Sequence, residues 1–591
     1  MFQNCIGQEC FRWVSLTLRA QASGLGKLNS KQTNKMQDLG TIDLIVFVSY
    51  FVVLVGIGLF VGRKGKQTSE DYFLAGRSLP WYVVGTSFIG SNISTEHFIG
   101  MVGAAYVYGI CIAQWEWGNI FAFSTLIWFF IPFLLASRVF TAPEFLERRY
   151  NATCRLLFAV FTVVANITAF LAAVLYSAAL GLQQMFDWEI WVGVLVMAVT
   201  AGSYAIYGGL RSVAWTDLFQ TTVMVIGGVL VTFLGLSSLG DGEGVLAGWR
   251  IMIERNLGTG DAWAKALAES GQKMTGSDTY HRLSVFQPLN HPIVPWVTIF
   301  TTWLSISIWY NCINQFMVQR VLAAKDDWHA RMGIVLAMFM KIFLPLIIVI
   351  PGLIYFAMKP GITDQKVIDQ TYPVLVTTLV QTGLKGLLLA ALFGAIQSTV
   401  DSVLNATSTI FTLDLYKKFL KPEADEPSLA RMGKITSAVV LVIASILAPF
   451  IEKLGQGVFV YVQNLYAHFA PPFAAIFLVG ILWKRANGFS AIVTIVIGIL
   501  ASILIQVTTD MSFTLRATFV WAYCVYSQIV VSYASERPPA EKTTSDLVAD
   551  WGSLQIFNNL GTPWHQNLLV WYSVAACGMV ACYVVFSGLV F

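Results

Sequence analysis

Seven ionisable side chains sit inside runs that are otherwise apolar: Glu96, His97, Glu116, Asp217, Lys341, Asp401 and His468. Charged groups at hydrocarbon depth are expensive, and they are retained facing a cavity or a partner inside a helix bundle. Two stretches break apolar runs with small and polar residues. One is Gly90-Ser91-Asn92-Ile93-Ser94-Thr95, and the other carries Ser305, Ser307, Tyr310, Asn311, Asn314 and Gln315. A third, Ala395-Ile396-Gln397-Ser398-Thr399-Val400-Asp401-Ser402, presents a Ser-Thr pair. Hydroxyls together with the carbonyls of an unwound helix form a neutral oxygen set, which suits a hard cation that must later be released. Bland alternatives exist for each feature. Small polar runs also make close helix-packing surfaces, hydroxyls bond back to their own helix, and some ionisable groups snorkel from helix ends. No Gly-rich phosphate loop, metal-ligand cluster or nucleophile triad stands out, so an enzyme is not expected.

The elements that would hold these groups are transmembrane helices. Of 591 residues, 56% are hydrophobic and 12% charged, where a soluble domain has roughly 25% charged. A bilayer span needs about 20 apolar residues. Hydropathy gives about fourteen such runs: 41–62, 80–109, 117–137, 155–184, 188–207, 215–238, 291–319, 332–357, 384–414, 432–451, 455–483, 487–507, 511–532 and 565–590. Lys and Arg gather in alternate loops (Arg63, Lys64, Lys66 and Arg77; Arg138, Arg148 and Arg149; Arg211; Arg320, Lys325 and Arg331; Lys417, Lys418 and Lys421; Lys484 and Arg485). By the positive-inside rule those loops are cytoplasmic and both termini lie outside. The basic arm 1–40 disagrees with that count; it is expected to be disordered, or to precede a natural start near Met36. The eight cysteines show no ligand spacing, and the net charge of +4 is spread over loops, so nucleic acid is not an expected partner.

The two interrupted runs open successive five-helix blocks, spans 2–6 and 7–11. That is the arrangement of inverted-repeat transporters, whose discontinuous helices expose backbone to ion and solute at mid-membrane. Irregular backbone is tolerated at that depth only where it lines a cavity. The expected organisation is a leading helix 41–62, a first repeat 80–238, an external loop 239–290, a second repeat 291–483, and C-terminal helices 484–591 containing an internal loop 533–564.

From about Thr41 to 535 the chain resembles the sodium/solute symporter family, in particular its sodium/glucose (galactose) branch. The resemblance rests on ordered motifs: Asp71-Tyr72-Phe73-Leu74-Ala75-Gly76-Arg77-Ser78-Leu79-Pro80-Trp81, Asn92 to Gly100, and Pro143-Glu144-Phe145-Leu146-Glu147-Arg148-Arg149. They continue with Tyr207-Gly208-Gly209-Leu210, Trp215-Thr216-Asp217, the run from Gln319 to Lys325, and the run from Asn405 to Asp414. It implies an all-α polytopic membrane protein with a ten-helix inverted-repeat (LeuT-like) core and flanking helices. The implied activity is sodium-coupled import of a neutral sugar by alternating access across the plasma (inner) membrane, with Na+ as the coupling ion. The implied sodium site uses backbone carbonyls of Gly90, Ile93 and Ala395 with the hydroxyls of Ser398 and Thr399. The implied solute site is Asn92, His97, Glu116, Asn119, Ser307, Asn311, Lys341 and Gln463, with Tyr310 as inner gate and Met101, Trp115 and Phe459 as outer lid. Asn311 stands where sugar-carrying relatives have tryptophan, Ser307 where the galactose carrier has asparagine, and His97 where the bacterial galactose carrier has glutamine. Inositol or another polyol is therefore the alternative solute, and a non-transporting solute sensor the alternative role. Asp401 replaces a small or hydroxyl residue and, with Asp217 and Ser402, defines a second cation site or a proton acceptor.

Overall fold

The computed structural model describes residues 40–63, 68–94, 96–137, 139–186, 188–258, 281–362, 364–454, 458–509, 511–549 and 557–589. The expected arm up to residue 39, Thr95, and parts of both long loops lie outside that set, as do the side chains of Glu96 and Phe459. Among the described residues there is no strand, only two isolated bridges. Besides shorter helices between them, among them Ala142–Arg149, Val245–Gly258 and Thr371–Leu379, the helices of the bundle are α1 (Thr41–Gly62), α2 (Trp81–Asn92), α3 (96–108), α4 (114–137) and α5 (152–186). A continuous stretch Ile190–Leu239 follows and divides at Gly209 into α6 (190–208) and α7 (210–239). Then come α8 (298–313), α9 (Gln315–Leu322), α10 (Asp327–Met358), α11 (Leu384–Leu420), α12 (Glu426–Ile451), α13 (Val458–Leu482), α14 (Gly488–Thr508), α15 (Phe513–Ala534) and α16 (Leu568–Val585).

Ten of these helical stretches are long and apolar enough to cross a membrane. Of the fourteen expected spans, 291–319 and 511–532 fall outside that set, and the first of them is interrupted. Where the span limits leave 208–214 as a loop, helix continues through a single joint. Gly209 adopts φ 58°, ψ −151°, and a Cβ there would lie 2.3 Å from the Tyr72 carbonyl oxygen. Only glycine tolerates both the positive φ and the contact.

Helix α11 is the hub: 94% of its most apolar window is buried, against 17% for α1 and α16, whose faces are left for lipid. Both expected helix breaks are present. After Asn92, Ile93 turns extended (φ −95°, ψ 121°) and ends α2. Asn314 does the same (φ −61°, ψ 126°) between α8 and α9. The residues at the first break suit it, since Asn and Ser side chains offer the backbone competing hydrogen bonds. The two broken units are joined at one end: Leu79 N–H donates to Ala323 O and Lys325 N–H to Leu79 O, each at 3.0 Å.

Not every cation counted as a loop residue is solvated. Arg149, Arg320 and Arg331 are each at most 2% exposed. Arg149 is held by the Gly480 and Trp483 carbonyls at 2.7 and 2.9 Å. Because the guanidinium keeps its charge and donates five N–H bonds, it can serve as an internal tie where lysine would not.

Candidate functional site

The break after α2 is braced locally. Ser94 N–H donates to His97 Nδ1 at 3.2 Å, and His97 N–H donates to Ser94 O at 3.0 Å. With Nδ1 accepting, the neutral ring carries its proton on Nε2, which points at Glu116 Oε1, 3.4 Å away. The other carboxylate oxygen of Glu116 receives Lys341 Nζ at 2.6 Å. The same ammonium donates to Asn92 Oδ1. Lys341 and Glu116 are both 1% exposed, so α2, α3, α4 and α10 meet in one buried, charge-balanced network.

This network forms part of the wall of a cavity of about 60 Å3. One water needs roughly 10–15 Å3 on the same measure, so the space holds several. Every expected solute residue lines it: Asn92, His97, Glu116, Asn119, Ser307, Tyr310, Asn311, Lys341 and Gln463. Met101 and Trp115 are there as well, and the Trp115 ring stacks on Phe513 with centroids 5.8 Å apart. Asn311 Nδ2 donates to Asn119 Oδ1 at 2.8 Å and to Ser307 O at 3.0 Å, tying α8 to α4. The Tyr310 ring meets Phe316 and Tyr466 edge-on, at 5.5 and 5.9 Å.

Two lining residues, Ile306 and Tyr466, were not among the sequence candidates. An isoleucine or tyrosine inside an apolar span carries no signal of its own. His468 lies two residues beyond Tyr466, but its Nδ1 meets Ser502 Oγ at 2.9 Å, and it does not line the cavity. Gln315 is likewise diverted, bonding Phe140 O and Ala142 N–H.

Immediately beside the cavity, the backbone leaving α2 faces α11. Thr399 Oγ1 lies 3.3 Å from Ile93 O and 3.2 Å from Ala395 O. An octahedral shell with bonds of about 2.4 Å, within the calcium range that similar-sized sodium shares, has adjacent oxygens roughly 3.4 Å apart. The Thr399 hydroxyl therefore stands at about the separation of neighbouring ligands from each of the two carbonyl oxygens. The C-terminal end of α2 also bears partial negative charge, which favours a cation there. Gly90 is in close contact with both α11 and α7, since a Cβ would lie 3.2 Å from Ser398 Oγ and 2.6 Å from Thr221 Oγ1. Ser398 and Thr399 are both 1% exposed and so do not face lipid, but Ser398 Oγ donates to Asp217 Oδ1 at 2.6 Å.

Asp217, Ser402 and Asp401 lie one layer away, all buried. Arg320 is among them: its Nη2 is 3.3 Å from Asp217 Oδ2 and donates to Ser402 Oγ. Ser87 Oγ donates to the same Asp217 oxygen at 2.5 Å. Asp401 accepts from Tyr204 OH at 2.5 Å and from Ser402 Oγ at 3.3 Å. The cation nearest this cluster comes from α9, at a position the loop count had assigned to solvent.

Broken helices, a cavity lined by charged and amide side chains and an adjoining oxygen cluster define a multi-pass helical membrane transporter. Comparison with known proteins gives the particular family. A family model described as the sodium:solute symporter family matches residues 72–523, and the chain belongs to that family. It is similar to a sodium/glucose cotransporter of Vibrio parahaemolyticus, 35% identical over 488 residues, covering 80% of this chain and 85% of that one. It is also similar to a sodium/myo-inositol cotransporter of Bos taurus, 32% identical over 499 residues, covering 81% and 68%. Among solved structures, a sodium-coupled sialic acid symporter in a substrate-bound outward-open state aligns with TM-score 0.72 at 20% identity, covering 85% of this chain and all of that one, and so shares the fold. The protein is a sodium-coupled solute symporter, not an enzyme.

Proposed function

We propose that the protein imports a neutral sugar, one molecule bound in the cavity between the two broken helices while sodium occupies the Ile93, Ala395 and Thr399 oxygens, completed by Gly90 and Ser398. The observation that carries this reading is the closed Lys341–Glu116–Asn92 network. Its charges cancel within 2.6 Å, so an anionic solute finds no free cation, while carboxylate, amides and ammonium offer both acceptors and donors. A sugar hydroxyl needs both. An analogue lacking a hydroxyl would leave buried groups unpaired, which makes such a site selective. Gln463 and Ser307 supply further polar contacts. Tyr310 acts as the inner gate, and Met101, Trp115 and Phe459 as the outer lid.

Coupling follows from chain connectivity. Asn92 serves the solute and Ile93 the ion, so ordering the break for one orders it for the other. A ligand moves the inward–outward equilibrium only through differential affinity for the two states. One sodium ion crossing 100 mV supplies about 2.3 kcal/mol, and a tenfold gradient about 1.4 kcal/mol; together these support accumulation of roughly several hundredfold.

The two repeats are 80–238 and 291–483, each opened by a broken helix. The distribution of Lys and Arg supports a plasma (inner) membrane protein with both termini outside. Similarity to a myo-inositol carrier favours a second reading in which the solute is a cyclic polyol. Asp217, Ser402 and Asp401 form a second cation or proton site in which Arg320 supplies fixed charge.

Proteoliposome uptake across glucose, galactose, myo-inositol and sialic acid is the test. Sodium-dependent accumulation of one neutral polyol is expected, and uptake restricted to the acid would overturn the neutral-solute reading. Counterflow of labelled solute separates a carrier from a sensor, which shows none. An unchanged solute-to-sodium ratio in Asp401→Asn would eliminate the second-ion role.

A further inference from the structure

At the end of the bundle where Lys and Arg gather, a second cavity of about 380 Å3 opens between the end of α1, the joint at Gly209 and the first turns of α12. Arg63, Arg211, Arg431 and Lys434 line it against one carboxylate, Asp71. That acid is already engaged, with Arg211 Nη2 3.4 Å from its Oδ1. Lys434 Nζ instead stands 5.8 Å above the rings of Tyr72 and Tyr207. The buried Nε–H of Arg211 has no acceptor among the described residues. A buried donor without a partner is costly, and an anionic oxygen would satisfy it.

The cavity continues into an apolar groove. Tyr207 and Lys434 line both. From there the groove runs between α6 and α12 past Val199, Leu195 and Leu441 to Trp191 and Ile446, enclosing about 810 Å3. Tyr207 stands sixteen positions after Trp191 in helix, a rise of about 24 Å at 1.5 Å per residue. One leaflet of hydrocarbon is about 15 Å thick, so the groove accommodates the length of an acyl chain.

We propose that this pair of spaces is a specific site for one anionic phospholipid, its phosphate among Arg63, Arg211, Arg431 and Lys434 and one acyl chain along α6 and α12. Basic pockets between membrane helices recognise anionic headgroups through just this charge complementarity. A zwitterionic lipid would bring its own cation into the basic ring. A soluble anion would use only the cavity, and a sterol only the groove. The continuity of the two at Tyr207 and Lys434 favours a ligand with both parts. With the sidedness read from the cationic loops, it is a lipid of the cytoplasmic leaflet.

The test is native mass spectrometry of the full-length purified protein with phosphatidylglycerol or phosphatidylcholine of identical chains. The wild type is expected to retain phosphatidylglycerol about tenfold better, and R63Q/R431Q/K434Q to lose that preference, since each basic residue adds to anionic-lipid attraction. Ser203→Trp, at an exposed groove position, is expected to lower retention of the lipid. Should the triple variant fail to fold, Arg431→Gln alone carries the test, with a roughly threefold loss expected. Equal retention by wild type and these variants overturns the site. So does an equal loss in K484Q/R537Q, which would make the preference a property of the whole basic surface. Displacement of the lipid by equimolar glycerol phosphate also overturns it, because the occupant would then be a soluble anion.

Discussion

Removing one charge of the buried Lys341–Glu116 pair separates the cost of an unpaired ion from the loss of a solute contact. The two groups lie 2.6 Å apart and are 1% exposed. Truncating one partner of such a pair costs about 3–5 kcal/mol, because the other is left uncompensated; replacing both with neutral groups is often close to neutral. Lys341→Met and Glu116→Gln are therefore each expected to destabilise by about 3–5 kcal/mol, and the double variant to recover most of that. In a domain of 150–250 residues, 1 kcal/mol shifts the melting temperature by about 2–4 °C, and by less in a larger chain. A drop of several degrees in each single variant, measured in detergent by size-exclusion survival after heating, is thus the expected reading. The double variant should melt near the wild type yet show no sodium-dependent uptake, since donor and acceptor are both gone. If the double variant falls by the sum of the singles, the two charges do not compensate one another and the balanced-pocket argument fails. If it transports normally, the pair does not bind solute.

Two further outcomes follow from single contacts. Thr399→Ala removes the hydroxyl lying 3.2–3.3 Å from Ala395 O and Ile93 O. A polar contact to a charge is worth about 1.5–3 kcal/mol, so half-saturating sodium in uptake assays should rise at least about tenfold, with Thr399→Ser near wild type; equal sodium dependence in Thr399→Ala would remove the hydroxyl from the ion site. In the short helix Ala142–Arg149 that follows α4, burial opposes ionisation of Glu147, but hydrogen bonds from Lys418 and Arg155 outweigh it and hold the carboxyl below its ordinary value. A lowered folded value gives stability that is complete above the usual glutamate range, about 4.3, and lost as pH falls through the folded value. The melting advantage of wild type over Glu147→Gln should accordingly be flat at neutral pH and shrink below about 4.3; an advantage that grows on acidification would refute the linkage.

What the sequence made legible were groups whose presence in an apolar span demands an explanation. Glu116, Lys341 and the Asn92–Ser94 break are costly in lipid, so each marks a cavity or a partner, and all three meet in one site. Ile306 and Tyr466 are no less part of the wall, but apolar residues in apolar runs carry no such demand. Arg320 is illegible in the sequence for the opposite reason. Near the end of a span a cation is normally solvated, and nothing local indicated that α9 would turn inward at Asn314 and carry the guanidinium to Asp217. The joint at Gly209 was similarly hidden, because glycine pairs commonly end helices and only the approach of Tyr72 explains why this one joins two. The physical consequence lies at the first break. A helix interrupted between Asn92 and Ile93 presents consecutive residues to two neighbouring spaces, one lined by a balanced ion pair and the other by neutral oxygens. Under the proposed coupling no separate relay between ion and solute is required: a single segment of backbone, too short to order one half without the other, would link their occupancies.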